Sequence, residues 1–221
     1  MNTAIIVAAG SGTRFGGGTP KQFVLLKDKP IIEYSLERFS DCEVIDEIVL
    51  VVEDSRVDHC AEFSSAYPKI NAIVAGGKTR AQSVRNGLRK AETAEIVAVH
   101  DGARPLVSVG DIEKCVLAAK EFGAACLAVP VSDTIKRVEA GFVIETVDRD
   151  SLMRAVTPQC FERELLLRAI VENTDWTTAT DESSIVERLP HSVKIVRGEE
   201  TNIKITTPND LRFAESVLEA E

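Results

Sequence analysis

The sequence predicts an α/β protein with a mostly parallel sheet, helices on both faces of that sheet and a projecting β-hairpin arm. Short apolar runs, nearly continuous as in strands buried on both faces, alternate with amphipathic stretches of helical period. After residue 133 this alternation stops. Residues 134–149 instead alternate in polarity around the turn sequence EAG, a pattern typical of a β-hairpin.

The first part of the chain supplies the predicted parallel sheet. Its strands are expected at 3–9, 47–53, 70–76, 95–101 and 124–131. Its helices are expected at 30–40, 55–66, 80–92 and 109–123, the first with Pro30 at the first helical position. Because strand and helix alternate, the strands are expected to run parallel and to place helices on both faces.

The second part is less regular. The hairpin at 134–149 is polar on both faces, so we expect it to project from the core as an arm. Further helices are expected at 161–173 and 181–189, strands at 192–198 and 202–206, and polar loops at 156–159 and 179–182. The last helix begins with Thr207 as N-cap, Pro208 in the first position and Asp210 in the third, a variant of the capping box.

Composition limits the kind of protein. A chain of 221 residues is enough for one α/β domain, expected over 1–221, and too short for two comfortable ones. With 44% hydrophobic and 28% charged residues it is typical of soluble globular proteins. No apolar run approaches the roughly 20 residues needed to cross a bilayer, and the first is interpreted as a strand rather than a signal peptide. The net charge of −9 argues against nucleic acid as a partner.

The cysteines and histidines show no metal-binding or disulfide pattern. Cys42, Cys60, Cys115, Cys126 and Cys160 are scattered and never stand in C-x-x-C spacing. Reduced thiols and a cytoplasmic location are therefore expected, and neither a disulfide framework nor a zinc site is.

A glycine-rich loop follows the first strand in "AAGSGTRFGGGTPKQF" (8–23). It is not the dinucleotide fingerprint, because Phe15 stands where that pattern needs glycine, and not a P-loop, because Lys21 follows proline. Backbone N–H groups of such a loop can hold phosphate oxygens. Together with Arg14 and Lys21 they favour charge stabilisation in phosphoryl or nucleotidyl transfer. The alternative is a solvated turn with two exposed cations.

Two further segments carry candidate site residues. Asp101 ends a buried strand in "VHDGARP", where a carboxylate can bind Mg²⁺ or instead cap the next turn. Arg104 is expected to hold a substrate phosphate or to pair with an acid, whereas His100 points away from Asp101 and is expected to be structural. In "AGGKTRAQSV", Gly76 and Gly77 would let the backbone approach a base edge.

In the same segment Ser83 would supply a hydroxyl near that base. The alternative there is an ordinary helix start, with Thr79 as N-cap and Arg80 solvated.

Taken together, the motifs resemble a known family. They occur in the order AAGSGTRF…PKQF, GGKTRAQSVRNGL, VHDGARP, PVSDTIKR, VDRDSLMRAVTPQCF, ATDESSIVE and NIKITTPNDL, and span nearly the whole chain. This pattern resembles the 2-C-methyl-D-erythritol 4-phosphate cytidylyltransferases, nucleotidyltransferases of the non-mevalonate isoprenoid pathway that use a Rossmann-like sheet. The resemblance implies a transfer of the cytidylyl group of CTP to a sugar-alcohol phosphate, with release of pyrophosphate.

The resemblance also implies roles for individual residues. Catalysis would use Arg14, Lys21, Arg149 and Lys204, with Mg²⁺ or another divalent cation on Asp101. CTP would be bound by Ala8, Ala9, Gly10, Gly12, Gly76, Gly77, Ser83 and Gly102. The sugar phosphate would be bound by Arg104, Thr134, Thr157, Thr180 and Asp181. In such a homodimer, Thr134 and Arg149 on the arm would reach the site of the neighbouring subunit.

Two other functions compete with this one. A ribitol 5-phosphate cytidylyltransferase shares the loop and the overall pattern, and Gly102 departs from the HDAARP sequence expected of a methylerythritol enzyme. Ala103 and the NIKIT segment favour methylerythritol. A non-catalytic nucleotide-binding module is the third possibility, and the presence of Arg14, Lys21 and Asp101 argues against it.

Overall fold

The structure is a computed structural model and describes residues 1–10 and 20–220. Its strands are β1 (Asn2–Ala8), β2 (Leu25–Leu26), β3 (Lys29–Pro30), β4 (Glu47–Val52), β5 (Ile70–Ala75), β6 (Ile96–Asp101), β7 (Ala124–Pro130), β8 (Ile135–Glu139), β9 (Phe142–Val147), β10 (Met153–Glu162) and β11 (Lys194–Arg197). Its α-helices are α1 (Ile31–Asp41), α2 (Phe63–Ala66), α3 (Arg80–Leu88), α4 (Val109–Phe122), α5 (Arg163–Glu172), α6 (Ser183–Val186) and α7 (Pro208–Ala220).

Seven strands form a central sheet in the order β11-β7-β10-β6-β1-β4-β5. All of them run parallel except β10, which pairs antiparallel with β6 and with β7. The predicted mostly parallel α/β sheet is therefore confirmed. The functional consequence is that the carboxyl ends of β1, β6 and β5 open on the same edge, where ligands bind in such sheets.

Helices cover both faces of the sheet, as predicted. Along β1, Ile6 points into a core with Phe39 of α1 and Val116 of α4, whereas Ile5 points to the opposite face and packs with Val84 of α3. The alternation follows from the period of two in a strand, which sends successive side chains to opposite faces. A third, smaller core joins α7 to the segment after β11 through buried Ile205.

The hairpin arm is also confirmed. β8 and β9 pair antiparallel around a turn at Ala140 and Gly141, whose φ angles are 47° and 85°. Gly141 accepts this left-handed backbone without a steric cost, which explains the EAG turn. The arm is mostly exposed, including Phe142 at 76% relative exposure.

Strand β10 corrects the sequence prediction, which placed a loop at 156–159 and a helix from 161. The strand runs to Glu162 and the helix begins at Arg163. Thr157 and Gln159 interrupt the apolar pattern but are buried in the sheet. Their polar groups are satisfied by partners from distant segments, so the local sequence gave no sign of a buried strand.

Three other predicted elements are wrong or shorter. Residues 55–66 form two short 3-10 turns and α2, because Cys60 and Phe63 supply too little buried face for a longer helix. The predicted helix 181–189 contracts to α6. Residues 202–206 do not form a strand, and the Ile205 amide instead donates to the Ala103 carbonyl in the turn after β6. The side chains in this segment still alternate in direction, so that Ile205 is buried and Lys204 lines the pocket.

Helix starts follow the predicted chemistry closely. Thr207 Oγ1 accepts from the Asp210 amide, and Asp210 Oδ2 accepts from the Thr207 amide, which confirms the capping box of α7. Pro30 is the N-cap of α1 rather than its first residue.

Within the described residues, no helix is both long and apolar enough to cross a membrane. All five cysteines lie in that part of the chain and are buried, free thiols.

Candidate active site

Two neighbouring pockets open at the carboxyl edge of the sheet. The larger pocket has a volume of about 470 Å³ and is lined by Val7, Ala9, Gly10, Lys21, Gln22, Gly77, Lys78, Thr79, Arg80, Ser83, Asp101, Ala103, Lys204 and Thr206. The smaller pocket has a volume of about 300 Å³ and is lined by Arg80, Asp101, Arg104, Ala155, Val156, Thr157, Gln159, Thr180, Asp181 and Lys204. Arg80, Asp101 and Lys204 line both, so the two pockets meet at these three side chains.

Asp101 lies at this junction because it is the last residue of β6. Its Oδ1 accepts from Arg80 Nε at 2.9 Å and its Oδ2 from Lys204 Nζ at 2.8 Å, while Arg104 Nε is 3.8 Å from Oδ2. Burial alone would raise the pKa of Asp101, but Arg80 and Lys204 outweigh it and hold the pKa well below its usual range. Asp101 is therefore an anion in this site at neutral pH.

Behind Asp101, a buried glutamate holds Arg80. Arg80 Nη1 donates to both carboxylate oxygens of Glu182, at 2.7 and 2.8 Å, and Glu182 is 2% exposed. Burial raises the pKa of Glu182 although Arg80 opposes the shift. Thr79 caps α3 by accepting from the Gln82 amide, as the alternative interpretation expected, but Arg80 is paired rather than solvated.

The wall of the larger pocket near α3 is built by close backbone packing. A Cβ on Gly76 would lie 2.3 Å from Cβ of Ala9 and 2.9 Å from Oγ of Ser83, so no larger residue fits without a shift. Ser83 Oγ accepts from the Gly77 amide and donates to the Thr79 carbonyl, both at 3.0 Å. The predicted residues Ala9, Gly76, Gly77 and Ser83 are thus brought together.

The end of β1 forms the other side of this pocket. Gln22 is buried and its Nε2 donates to the carbonyls of Ala8 and Gly10, both at 2.9 Å. Ala8 and Gly102 pack against each other behind the wall: a Cβ on Gly102 would lie 3.2 Å from Cβ of Ala8. Gln22 is not among the residues predicted for the site, although its place directly after Lys21 in PKQ is a usable signal.

Of the two predicted loop cations, the structure describes Lys21. Its Nζ donates to the carbonyl of Ile205 at 2.8 Å and it lines the larger pocket. Arg14 and Gly12 lie outside the described residues.

The smaller pocket contains Arg104, Thr157, Thr180 and Asp181, all predicted to bind substrate. Arg104 Nη1 donates to the Asn202 carbonyl at 2.9 Å. Asp181 accepts from Gln159 Nε2 at 2.9 Å and, by its other oxygen, from the Ser184 amide at 3.1 Å. Asp181 therefore anchors the first turn of α6 and lines the pocket at the same time.

His100 is held in one tautomer. Its Nε2 lies 3.2 Å from the Arg104 carbonyl, which can only accept, so Nε2 carries the proton. Nδ1 then accepts from the Thr157 hydroxyl at 3.1 Å, and that oxygen accepts from the Asp101 amide at 3.1 Å. Burial lowers the pKa of His100 to about 3, so the ring is neutral and serves to orient Thr157 and Asp101.

Thr134 and Arg149 lie at the base of the arm and are exposed. Arg149 Nη1 donates to the Ser132 carbonyl at 2.6 Å. Neither residue lines the larger or the smaller pocket. In one chain, therefore, the arm residues are separate from the other predicted substrate residues.

The residues present suit a divalent cation that arrives with phosphate. No cluster of three His, Cys, Asp or Glu side chains among residues 1–10 and 20–220 could hold a metal by itself. Asp101 is the carboxylate that lines the larger pocket. Mg²⁺ is commonly held by one or two carboxylates together with substrate phosphates and water, so Asp101 fits as one protein ligand.

The chain matches a known family over nearly its whole length. Residues 2–220 match the IspD family model, described as 2-C-methyl-D-erythritol 4-phosphate cytidylyltransferase. The chain is 44% identical to the enzyme of that name from Clostridium novyi, over 99% of this chain and 96% of the relative. It is also 44% identical to the one from Bacillus velezensis, over 98% of this chain and 95% of the relative.

Solved structures give the same result. A crystal structure of a 4-diphosphocytidyl-2C-methyl-D-erythritol synthase has a TM-score of 0.81 and 36% identity, covering 98% of this chain and 97% of that one. The crystal structure of Francisella tularensis 2-C-methyl-D-erythritol 4-phosphate cytidylyltransferase has a TM-score of 0.82 and 31% identity, covering 97% of this chain and 98% of that one.

Proposed function

Because the chain belongs to the 2-C-methyl-D-erythritol 4-phosphate cytidylyltransferase family, we propose that it forms 4-diphosphocytidyl-2-C-methyl-D-erythritol and pyrophosphate from CTP and 2-C-methyl-D-erythritol 4-phosphate. The observation that carries the proposal is the junction of the two pockets at Arg80, Asp101 and Lys204. A transfer between two bound substrates needs two adjoining pockets with cations where they meet.

The larger pocket is proposed to bind CTP. Gly77 lines this pocket, and the pyrimidine edge of CTP is proposed to lie beside its backbone. The triphosphate then lies toward Lys21 and Asp101. Arg14, which lies outside the described residues, is proposed to stabilise the same phosphates.

The smaller pocket is proposed to bind the sugar-alcohol phosphate. Arg104 and Lys204 supply positive charge, and Thr157, Thr180 and Asp181 supply groups that can hydrogen-bond to sugar hydroxyls. Lys204 belongs to both pockets, so it is suited to hold the attacking phosphate beside the α-phosphorus of CTP.

The attack needs no general base. A phosphate monoester has its second pKa near 6, so the acceptor is already largely dianionic at neutral pH. His100, buried and neutral, has both ring nitrogens in hydrogen bonds to the protein. The acceptor's phosphate oxygen attacks the α-phosphorus in line, and pyrophosphate leaves.

The energetic difficulty is the approach of two polyanions, and the protein's cations offset it. Lys21 is proposed to stabilise the charge that develops on the phosphoryl oxygens, and Lys204 is proposed to position the nucleophile. Asp101 would hold Mg²⁺ together with the CTP phosphates. When bound, such an ion neutralises phosphate charge and orients the triphosphate.

The active assembly is proposed to be a cytoplasmic homodimer of single-domain subunits joined through the arm. The arm exposes Val138, Phe142, Val143 and Ile144, each at 55% or more, which is typical of a surface that another chain covers. In the dimer, Thr134 and Arg149 would complete the acceptor site of the neighbouring subunit.

Pyrophosphate release tests the function. The purified protein is assayed with CTP in Mg²⁺ and, in parallel, with 2-C-methyl-D-erythritol 4-phosphate, ribitol 5-phosphate or no acceptor. Release with the first acceptor at a higher kcat/KM than with the second is expected. Preference for ribitol 5-phosphate would overturn the acceptor assignment, and no release with either would overturn the catalytic function.

A further inference from the structure

The Arg80–Glu182 pair connects the two pockets from behind. Arg80 is the first residue of α3 and lines both pockets. Glu182 directly precedes α6, is buried, and is not among the residues that line either pocket. Arg80 Nε donates to Asp101, and Arg80 Nη1 donates to Glu182. One rigid guanidinium therefore links the carboxylate at the end of β6 to the carboxylate just before α6.

The Glu182 carboxylate is buried and its partner Arg80 keeps only 25% of its side chain exposed, so this ion pair is costly for a purely structural contact. Removing two charges from water carries a desolvation penalty that their attraction only repays with good geometry, and apolar replacements of buried pairs are often neutral or stabilising. Here Nε and Nη1 of Arg80 are paired at short distances, whereas its Nη2 is buried without a hydrogen-bond partner. The charges also lie beside the junction rather than in the apolar core. The location points to a role in the site.

We propose that Arg80 and Glu182 are positioning residues that orient the Asp101 carboxylate and keep it available to the divalent cation that accompanies CTP. This inference rests on the proposed function of the two pockets. In this role neither residue needs to touch a reacting atom.

The balance of charge explains why Glu182 is needed. Asp101 faces three cations, namely Arg80, Lys204 and Arg104. Glu182 takes up much of the charge of Arg80, so Arg80 orients Asp101 through Nε without fully neutralising it. Without the Glu182 carboxylate, Arg80 would pair with Asp101 alone, and Asp101 would bind a divalent cation less well.

The planar guanidinium is also required. Arginine can donate to two carboxylates in fixed directions, whereas the single ammonium of lysine cannot hold both at these distances. Arg80→Lys therefore keeps the charge but loses the orientation. The two variants, Glu182→Gln and Arg80→Lys, test the two halves of the arrangement.

The experiment measures CTP binding by titration calorimetry with Mg²⁺ and with EDTA, alongside steady-state kinetics over a range of Mg²⁺ concentrations. In wild type, Mg²⁺ should strengthen CTP binding. In Glu182→Gln, the factor by which Mg²⁺ strengthens CTP binding should fall about tenfold, as is typical when a residue that hydrogen-bonds to a metal ligand is removed. The affinity for CTP in EDTA should stay near that of wild type. The Mg²⁺ concentration for half-maximal rate should rise by a similar factor.

Two exposed positions outside the pockets provide matched control variants. Glu164→Gln removes an exposed carboxylate that pairs with Arg163, and Arg89→Lys alters an exposed arginine just after α3. Both should behave as wild type. Thermal unfolding shows which variants fold. If Glu182→Gln does not fold, Arg80→Lys is tested in its place, and the same loss of Mg²⁺-dependent CTP binding is expected.

The outcomes separate this inference from the proposed function. Equal loss of CTP binding with Mg²⁺ and with EDTA, or no loss at all, would overturn the positioning role while leaving the function intact. A wild-type protein that neither binds CTP nor releases pyrophosphate would overturn the proposed function, and this inference with it.

Discussion

Lys21 and Ile205 are 184 residues apart in the chain, yet Nζ of Lys21 donates to the Ile205 carbonyl at 2.8 Å. Ile205 is the residue after Lys204, which binds Asp101. The cation of the first loop and the cation of the late segment therefore lie on one continuous wall. Buried Ile205 holds this wall in the core beneath α7.

Replacing Lys21 should chiefly slow the chemical step. Lys21→Ala removes a preorganised donor proposed to stabilise charge on the phosphoryl oxygens, and the loss of one such donor typically lowers kcat by about 10²–10³. Steady-state kinetics with saturating CTP measure this loss. Lys120→Ala, at an exposed position on α4, is the matched control, and an unchanged kcat in Lys21→Ala would remove Lys21 from the catalytic group.

Replacing Lys204 should instead weaken acceptor binding. Its ammonium is proposed to hold the attacking phosphate, and a hydrogen bond between charged groups contributes about 1.5–3 kcal/mol, which corresponds to roughly a ten- to hundredfold rise in KM. Lys204→Ala should raise the KM for 2-C-methyl-D-erythritol 4-phosphate by this factor. The KM for CTP, measured in the same preparation, is the internal control; equal rises in both would contradict the assignment.

Gly76 should not tolerate even a methyl group. Its added Cβ would lie 2.3 Å from Cβ of Ala9, so Gly76→Ala must displace the end of β1 or the start of α3. We expect a rise in the KM for CTP and a loss of about 1–3 kcal/mol in unfolding free energy, the usual cost of overpacking. Chemical denaturation and kinetics measure both.

The control for this substitution is Gly110→Ala. A Cβ at Gly110 would meet nothing within 4 Å, and the position lies in α4 away from both pockets. It should leave the KM for CTP unchanged. If the two alanine variants behave alike, close packing at Gly76 does not shape the CTP pocket.

The sequence allowed prediction of features whose signal is local. Asp101 could be assigned because it ends an apolar strand, and Lys21 because it follows a glycine-rich turn after the first strand. The capping box of α7 lies within four consecutive residues. In each case the residues that define the feature are neighbours in the chain.

Features that depend on distant partners escaped prediction. Glu182 and Arg80 meet across 102 residues, and nothing near Glu182 in the sequence indicates a buried carboxylate. Strand β10 carries polar Thr157 and Gln159, whose side chains bond to β6, to Cys126 of β7 and to the segment that begins α6. Lys204 lines both pockets, but the strand predicted to carry it does not form, because the backbone there is held by single contacts rather than a ladder.

His100 should make stability depend on pH. Burial lowers its pKa to about 3, whereas in the unfolded chain it titrates near 6.5. Between these values the unfolded state binds a proton that the folded state does not, so the unfolding free energy falls as pH falls. The contribution is up to about 1.4 kcal/mol per pH unit.

Chemical denaturation of wild type and His100→Asn at pH 7, 6 and 5 measures this slope. The carboxylates, including Glu182 with its raised pKa, are the same in both proteins, so the difference between the two slopes reports His100. Wild type should lose stability faster than the variant as pH falls. Parallel curves would show that His100 does not resist protonation in the fold.

The arm should control both assembly and activity. Phe142 is 76% exposed on β9, so Phe142→Asp places a charge on the apolar surface that is proposed to bind the second subunit. Light scattering on a sizing column should show wild type at twice the 24.0 kDa chain mass and the variant at the single-chain mass. Activity should fall with assembly, because Arg149 and Thr134 would no longer reach a neighbouring site. Val171→Asp, at an 81% exposed position on α5, should remain dimeric and active. A fully active Phe142→Asp monomer would show that each chain completes its own acceptor site.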